Sequence, residues 1–228
     1  MSPSMGKKGL KKLQQARPGF AWLLILILCY LIVSGFEVRH PLMLAVGIVL
    51  RVATFVLALY VSGVSKRFFL ATVLLALIVS VVSIPARIYH GWLQILDLVA
   101  WSAIPLLVPV AILRKIKKEF AGEGVDMEVV LGALCAYLYV GAYFAFLYDA
   151  IATVSKSPFF VQPGADLKLN YIYFSFVTLT TTGYGDLSPA YGPGRMLAVI
   201  EAIIGQLYLV SVVALVVSAY GKGKKSSS

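Results

Sequence analysis

Six apolar runs of membrane length divide the sequence, and they restrict the fold more than any other feature. They lie at about 20–36, 42–63, 68–84, 91–113, 127–153 and 195–220. A helix of about 20 residues crosses the roughly 30 Å hydrocarbon core of a bilayer. With 60% hydrophobic and only 13% charged residues, the chain of 228 residues is too apolar for a soluble domain. We therefore predict an all-α membrane protein with six transmembrane helices.

The first run, 20–36, follows a basic segment, so it could be either a retained transmembrane helix or a signal peptide. Against that alternative, the run is longer than a usual signal-peptide core and no A-x-A cleavage pattern follows it. The next residues, 37–41 (EVRHP), are typical of a loop that leads to another span. We interpret the run as a retained helix.

Lys and Arg residues are concentrated in connections that a six-span topology places on one side of the membrane. They fall within 1–19, at 66–67, at 114–118 and at 222–225. Basic loops remain in the cytoplasm, so we predict a multi-pass protein of the cell membrane with both termini cytoplasmic. In this setting the net charge of +10 does not indicate nucleic-acid binding. The 114–118 cluster could also contact anionic membrane lipids, although anchoring explains it equally well.

A change in composition at 115–126, basic and then rich in Gly and acidic residues, separates two units. Before this cytoplasmic linker lie a basic N-terminus at 1–19 and a four-helix unit at 20–114. After it lie a two-helix unit at 127–221 and a tail at 222–228. We expect no soluble regulatory domain and no cofactor. Cys29 and Cys135 lie inside apolar runs, where we expect them to be small buried hydrophobic residues rather than a disulfide.

The motif TTTGYGD at 180–186 lies between the fifth and sixth spans. It ends an apolar and aromatic segment, 168–180, that as a helix would be only about 20 Å long and therefore too short to cross. The segment should enter the membrane and return, with its backbone buried in protein or lining water. Gly183 and Gly185 can adopt backbone angles that turn consecutive carbonyl groups to one side. Such oxygens can replace the water shell of a cation.

The motif and its setting resemble the signature of potassium channels, in which four copies of a T-x-G-Y-G loop form the selectivity filter. The resemblance covers 127–221 and implies a pore domain, with a turret loop, a re-entrant pore helix at 168–180 and a filter at 181–185. It implies that backbone oxygens of the filter and the Thr181 hydroxyl coordinate K⁺, that the Tyr184 ring braces the loop, and that Asp186 lies at the outer mouth. The implied filter residues are Thr181, Thr182, Gly183, Tyr184 and Gly185. Because the chain has one such loop, a homotetramer is implied. The resemblance also implies K⁺ as the permeant ion and no enzymatic activity.

The last span carries further candidates. Gly205 lies 20 residues beyond Gly185, where the family usually has a hinge glycine, but a small residue that permits close helix packing is an equal explanation. We expect Glu201 to support the filter or to meet Arg195 rather than to face lipid. One face of the span is suited either to a hydrophobic gate or to lipid and helix contacts; its residues are Leu209, Val213 and Val217.

The first four spans lack the regular basic residues of a voltage sensor, since the fourth has none before Arg114. Their informative charges are Arg51 and Asp97, which lie about 14 Å and 9 Å deep at 1.5 Å per residue. An unpaired charge at that depth costs about 2.5 to 3.5 kcal/mol. We predict a structural ion pair between spans two and four.

The sequence thus predicts a K⁺-selective channel subunit that conducts passively through a tetrameric pore. Two alternatives stay open: a weakly selective cation channel, and a non-conducting accessory subunit of a channel. A K⁺ transporter with filter-like loops would need four helix–loop–helix repeats in one chain, and the single repeat here argues against it.

Overall fold

A computed structural model of the chain describes residues 19–35, 41–74, 108–114, 127–155 and 157–225. The named helices are α1 (Phe20–Ser34), α2 (Pro41–Val61), α3 (Met127–Ser155), α4 (Lys168–Leu179) and α5 (Gly192–Lys225). Residues 66–74 and 108–114 are also helical. Among the described residues, β-structure is limited to one isolated bridge between Phe160 and Pro189. The described part of the chain is therefore all-α.

Two of these helices are long and apolar enough to cross a membrane, namely α3 and the 192–212 part of α5. Both α1 and the apolar 49–61 part of α2 are shorter. Most of the third and fourth predicted spans, and all of the 115–126 linker, lie outside the described residues.

The last helix is longer than the predicted span of 195–220. It begins at Gly192, because Pro193 fits the first helical turn, where its missing N–H group needs no partner. It continues to Lys225, into the residues predicted as a tail, even though each glycine in a helix costs about 1 kcal/mol relative to alanine.

The starts of α1 and α3 lie side by side. The Phe20 backbone N–H donates to Glu128 Oε2 over 2.9 Å, and the Cys135 thiol lies 3.5 Å from the Phe20 carbonyl oxygen. Further along, Arg51 of α2 lies between a ring of α1 and a ring of α3. The helices α1 and α3 therefore run in the same direction. An odd number of crossings between them, such as the predicted spans two to four, is compatible with this arrangement.

The buried residues of α1 form one stripe, which packs in a core with α2, 108–114 and α3. Cys29 lies outside this stripe and is exposed, so the expectation that it is buried is wrong. Its position on the helix turns it away from the side that meets α3. Cys135 is buried in that same core, and both thiols are free.

A second core is mainly aromatic and joins the C-terminal half of α3, the 157–167 loop and α4. Its rings meet mostly edge to face, with centroids 5.0 to 6.3 Å apart. Asp166 fixes the loop by accepting hydrogen bonds from the Phe159 N–H and the Tyr171 hydroxyl, at 2.9 and 2.8 Å. Because lipid tails are as apolar as side chains, such packing and hydrogen bonds hold helices together in a bilayer. This core seats α4 beside α3.

Candidate functional site

The short helix α4 is held between α3 and α5 by a buried carboxyl group. Glu201 of α5 is 0% exposed. Its Oε2 accepts a hydrogen bond from the Tyr148 hydroxyl of α3 over 2.5 Å, and its Oε1 contacts the Ser175 hydroxyl of α4. Ser175 also reaches the Gly141 carbonyl oxygen of α3 at 2.7 Å. One side chain thus joins all three helices behind the loop.

The number of hydrogens in this cluster bears on the charge of Glu201. The Gly141 carbonyl can only accept, and Ser175 has a single hydroxyl hydrogen to share between that carbonyl and the carboxyl group. If the Glu201 carboxyl group is protonated and donates to Ser175, each of the three contacts (Tyr148–Glu201, Glu201–Ser175 and Ser175–Gly141) has its own hydrogen. The geometry therefore favours a neutral carboxyl, which also avoids the cost of burying an unpaired charge.

Glu201 does not meet Arg195, the other partner expected for it. Residues six apart on a helix point to different sides, and Arg195 Nε instead donates to the Pro189 carbonyl oxygen at 3.0 Å. Arg195 therefore closes the turn that leads into α5, while Glu201 faces the interior.

Gly205 brings the backbone of α5 against the end of α4. A Cβ atom at this position would lie 2.1 Å from the Leu179 carbonyl oxygen, much closer than any real contact. The same oxygen accepts a hydrogen bond from the Tyr137 hydroxyl at 3.0 Å. The helix α5 is continuous through Gly205. Close packing is thus a sufficient reason for glycine here, and bending at Gly205 stays a prediction.

The backbone of the 180–186 loop alternates in hand. The angle φ is positive at Thr181, Gly183 and Gly185, at 56°, 57° and 81°, and negative at the residues between them. For a β-branched residue such as Thr181 this conformation is strained, by roughly 1–2 kcal/mol. Such strain persists where surrounding contacts hold it, and it concentrates at functional sites.

The hydrogen bonds of the loop show which way its peptide groups face. The N–H groups of Thr181, Thr182 and Gly183 donate to Thr178 and Val177 carbonyl oxygens of α4, at 2.9, 2.9 and 3.3 Å. The C=O of a trans peptide points away from its N–H, and no cis peptide occurs among the described residues. The carbonyl groups of residues 180–182 therefore point away from α4, toward the open side of the loop.

The C-terminal end of the loop is held to α4 by one aromatic residue, Tyr173. The Tyr184 ring stacks on the Tyr173 ring with centroids 6.4 Å apart and an interplanar angle of 7°. The Tyr173 hydroxyl donates to Asp186 Oδ2 over 2.8 Å. Tyr173 thus holds both the tyrosine and the aspartate of the motif.

The N-terminal end of the loop is held to α5. Gln206 Nε2 donates to Thr181 Oγ1 at 2.9 Å. Gln206 follows Gly205, so the close approach of α5 to α4 is what brings its amide within reach of the loop.

The remaining predicted residues lie away from the loop or outside the described part of the chain. Leu209 is exposed on α5, and the side chains of Val213 and Val217 are not among those described. The Arg51 guanidinium lies 5.6 Å from the Tyr30 ring centroid and 5.7 Å from that of Phe146. Asp97 lies outside the described residues, so the ion pair with Arg51 stays a prediction.

Several contact residues of the site did not stand out in the sequence, among them Tyr137, Tyr148 and Gln206. The tyrosines look like ordinary members of an aromatic span, and only the fold gives their hydroxyl groups partners. Gln206 did carry a signal, since an amide inside an apolar span needs a polar partner.

The fold and the loop together are consistent with a membrane protein: two long apolar helices flank a half-length helix, and the loop that follows this helix presents carbonyl groups. Residues 132–222 match the model of a family described as ion channel. The match runs from α3 into α5 and includes α4 and the loop, although it covers less than half of the chain. It supports an ion channel subunit in a membrane. Comparison with curated proteins found no match, and comparison with solved structures found none either.

Proposed function

We propose that the chain is a subunit of a K⁺-selective channel, in which four copies surround one pore in the cell membrane and both termini are cytoplasmic. The observation that carries the proposal is the alternation of φ along Thr181, Gly183 and Gly185. This alternation, with N–H groups directed back to α4, suits a row of carbonyl oxygens that replaces the water shell of K⁺. The ion channel match across this region supports the same conclusion.

The exposure of the loop supports assembly of several copies. Residues 180–186 are all exposed in the single chain, although the loop contacts α4 and α5 on one side. Tyr184 is 70% exposed. Polar backbone at membrane depth is tolerated only against protein or a water-filled path. One loop supplies one wall of such a path, so further copies must supply the others.

The charges around the loop also suit a cation. The carbonyl end of α4 carries the negative end of its helix dipole, equivalent to about half an elementary charge, and it lies at the inner end of the loop. Asp186 follows Gly185 at the other end of the loop. A cation is therefore favoured at both ends of the proposed filter.

Selectivity can be measured on purified protein reconstituted into liposomes or planar bilayers, with K⁺ on one side and Na⁺ on the other. We expect a reversal potential close to that of K⁺. The variant Gly183→Ala forces an alanine to φ of 57° and should move the reversal potential toward zero. Gly164→Ala is the matched control, because Gly164 has φ of 71° and open space around it but lies in the 157–167 loop.

Three results would contradict the proposal or its structural basis in different ways. Equal permeability to K⁺ and Na⁺ in the wild-type protein would favour the weakly selective cation channel. Flux that requires a second, different subunit would favour the accessory subunit. If Gly183→Ala and Gly164→Ala changed the reversal potential equally, selectivity would not depend on the backbone geometry of the 180–186 loop.

A further inference from the structure

We infer that Gln206 is a positioning residue for the innermost cation site of the filter, an inference that rests on the proposed function. The site includes the Thr181 hydroxyl, and the Gln206 amide holds that hydroxyl through its 2.9 Å hydrogen bond. The bond crosses from α5 to the loop. Gln206 thus acts on a cation through Thr181 rather than by touching the filter carbonyls.

The hydrogen bonds of Thr181 leave one direction open for a cation. Its hydroxyl hydrogen is donated to the Thr180 carbonyl oxygen at 2.7 Å. A hydroxyl oxygen has two acceptor positions, and Gln206 occupies one of them. The hydroxyl can no longer rotate freely, and its second acceptor position has a fixed direction.

The neighbouring threonines are held differently. The Thr180 hydroxyl donates to the Phe176 carbonyl oxygen of α4 at 2.7 Å, so Thr182 is the donor in the 2.9 Å contact between the Thr180 and Thr182 hydroxyls. The orientation of these two hydroxyls is therefore fixed by α4. The Thr181 hydroxyl is instead held by Gln206 of α5, so its orientation depends on the position of α5.

A preoriented ligand binds a cation more tightly than one that must first be ordered. Removing the amide donor from residue 206 returns rotational freedom to the Thr181 hydroxyl. The net effect of one neutral hydrogen bond corresponds to a change of about threefold to tenfold in a binding constant. We expect cation affinity at the inner site to fall by that factor.

The test uses the full chain purified in detergent, and Ba²⁺ as the probe, since it is close to K⁺ in size and carries twice the charge. Thermal unfolding in Na⁺ buffer at increasing Ba²⁺ gives an apparent Kd without any need for conduction. In Gln206→Met, which keeps the side-chain length and removes the donor, we expect this Kd to rise about threefold to tenfold. Leu207→Met is the matched control, because Leu207 is 63% exposed on the neighbouring position, and its Kd should equal that of the wild type.

A thermodynamic cycle separates positioning from a general structural effect. In a Thr181→Val background, which lacks the hydroxyl, Gln206→Met should change the Ba²⁺ Kd no further. In a Thr181→Ser background, which keeps the hydroxyl, the effect of Gln206→Met should return. A rise in Kd of the same size in the Thr181→Val background would overturn the inference, as would an unchanged Kd in Gln206→Met or a wild-type protein that Ba²⁺ does not stabilise.

The outcomes also distinguish this inference from the proposed function. K⁺-selective flux together with an unchanged Ba²⁺ Kd in Gln206→Met would overturn the role of Gln206 alone. The predicted dependence of Ba²⁺ binding on Gln206 and Thr181, together with equal K⁺ and Na⁺ permeability, would support that role and contradict K⁺ selectivity.

Discussion

Substitution of Glu201 tests how α4 is held between the two long helices. In Glu201→Leu the Tyr148 hydroxyl loses its acceptor, while Ser175 keeps the Gly141 carbonyl. A buried hydroxyl without a partner costs about 1–3 kcal/mol. At roughly 2–4 °C per kcal/mol for a chain of this size, we expect the midpoint of thermal unfolding in detergent to fall by about 2–12 °C.

Glu201→Gln is the informative comparison. Its carbonyl oxygen can accept from Tyr148, and its amide can donate to Ser175, which reproduces the pattern of a neutral carboxyl group. One additional N–H group must find a partner, so we expect a loss of about 1 kcal/mol and a smaller fall in the midpoint than in Glu201→Leu. If Glu201→Gln destabilises the protein as much as Glu201→Leu, the carboxyl group is ionised and the hydrogen count is wrong.

Three other substitutions follow from the described contacts. Gly205→Ala should lower stability by about 1–3 kcal/mol through overpacking against the carbonyl group that ends α4, while Gly192→Ala, in open space at the start of α5, should not; thermal unfolding of both variants checks this. Tyr173→Phe keeps the ring stacking but removes the hydrogen bond to Asp186; on the proposed function, we expect the reversal potential, and hence the selectivity, to be unchanged. Arg51→Lys should lower stability by about 1 kcal/mol, since lysine lacks the planar group that lies over two rings; a double-mutant cycle of leucine substitutions at Arg51 and Asp97 should show coupling if the two residues pair.

Much of the local structure of the site could be read from the sequence. Hydropathy and the change in composition place the start of α3 at Met127, because charged and Gly-rich residues end there and a long apolar run begins. The length and aromatic character of 168–180 predict a half-length helix, and α4 occupies 168–179. The two glycines of the motif have the positive φ that their residue type permits.

The contacts that hold the site could not be read from the sequence, because they join residues far apart in the chain. The bond between Tyr148 and Glu201 spans 53 residues, and that between Ser175 and Glu201 spans 26. Hydropathy shows that a helix is apolar but not which side meets its neighbours. The positive φ of Thr181 was also not predictable, since a β-branched residue ordinarily avoids it.

The bond between Glu128 and the Phe20 N–H group has a mechanical consequence. It joins the first turn of α1 to the first turn of α3, so that a tilt of α1 relative to α3 moves the chain least at this point. Tyr30 is ten residues further along α1 and about 15 Å from the pivot at 1.5 Å per residue. A tilt of about 5° would displace Tyr30 by about 1.3 Å over that lever arm. Displacements of the N-terminal unit would thus be smallest near the pivot and grow toward the opposite end of α1.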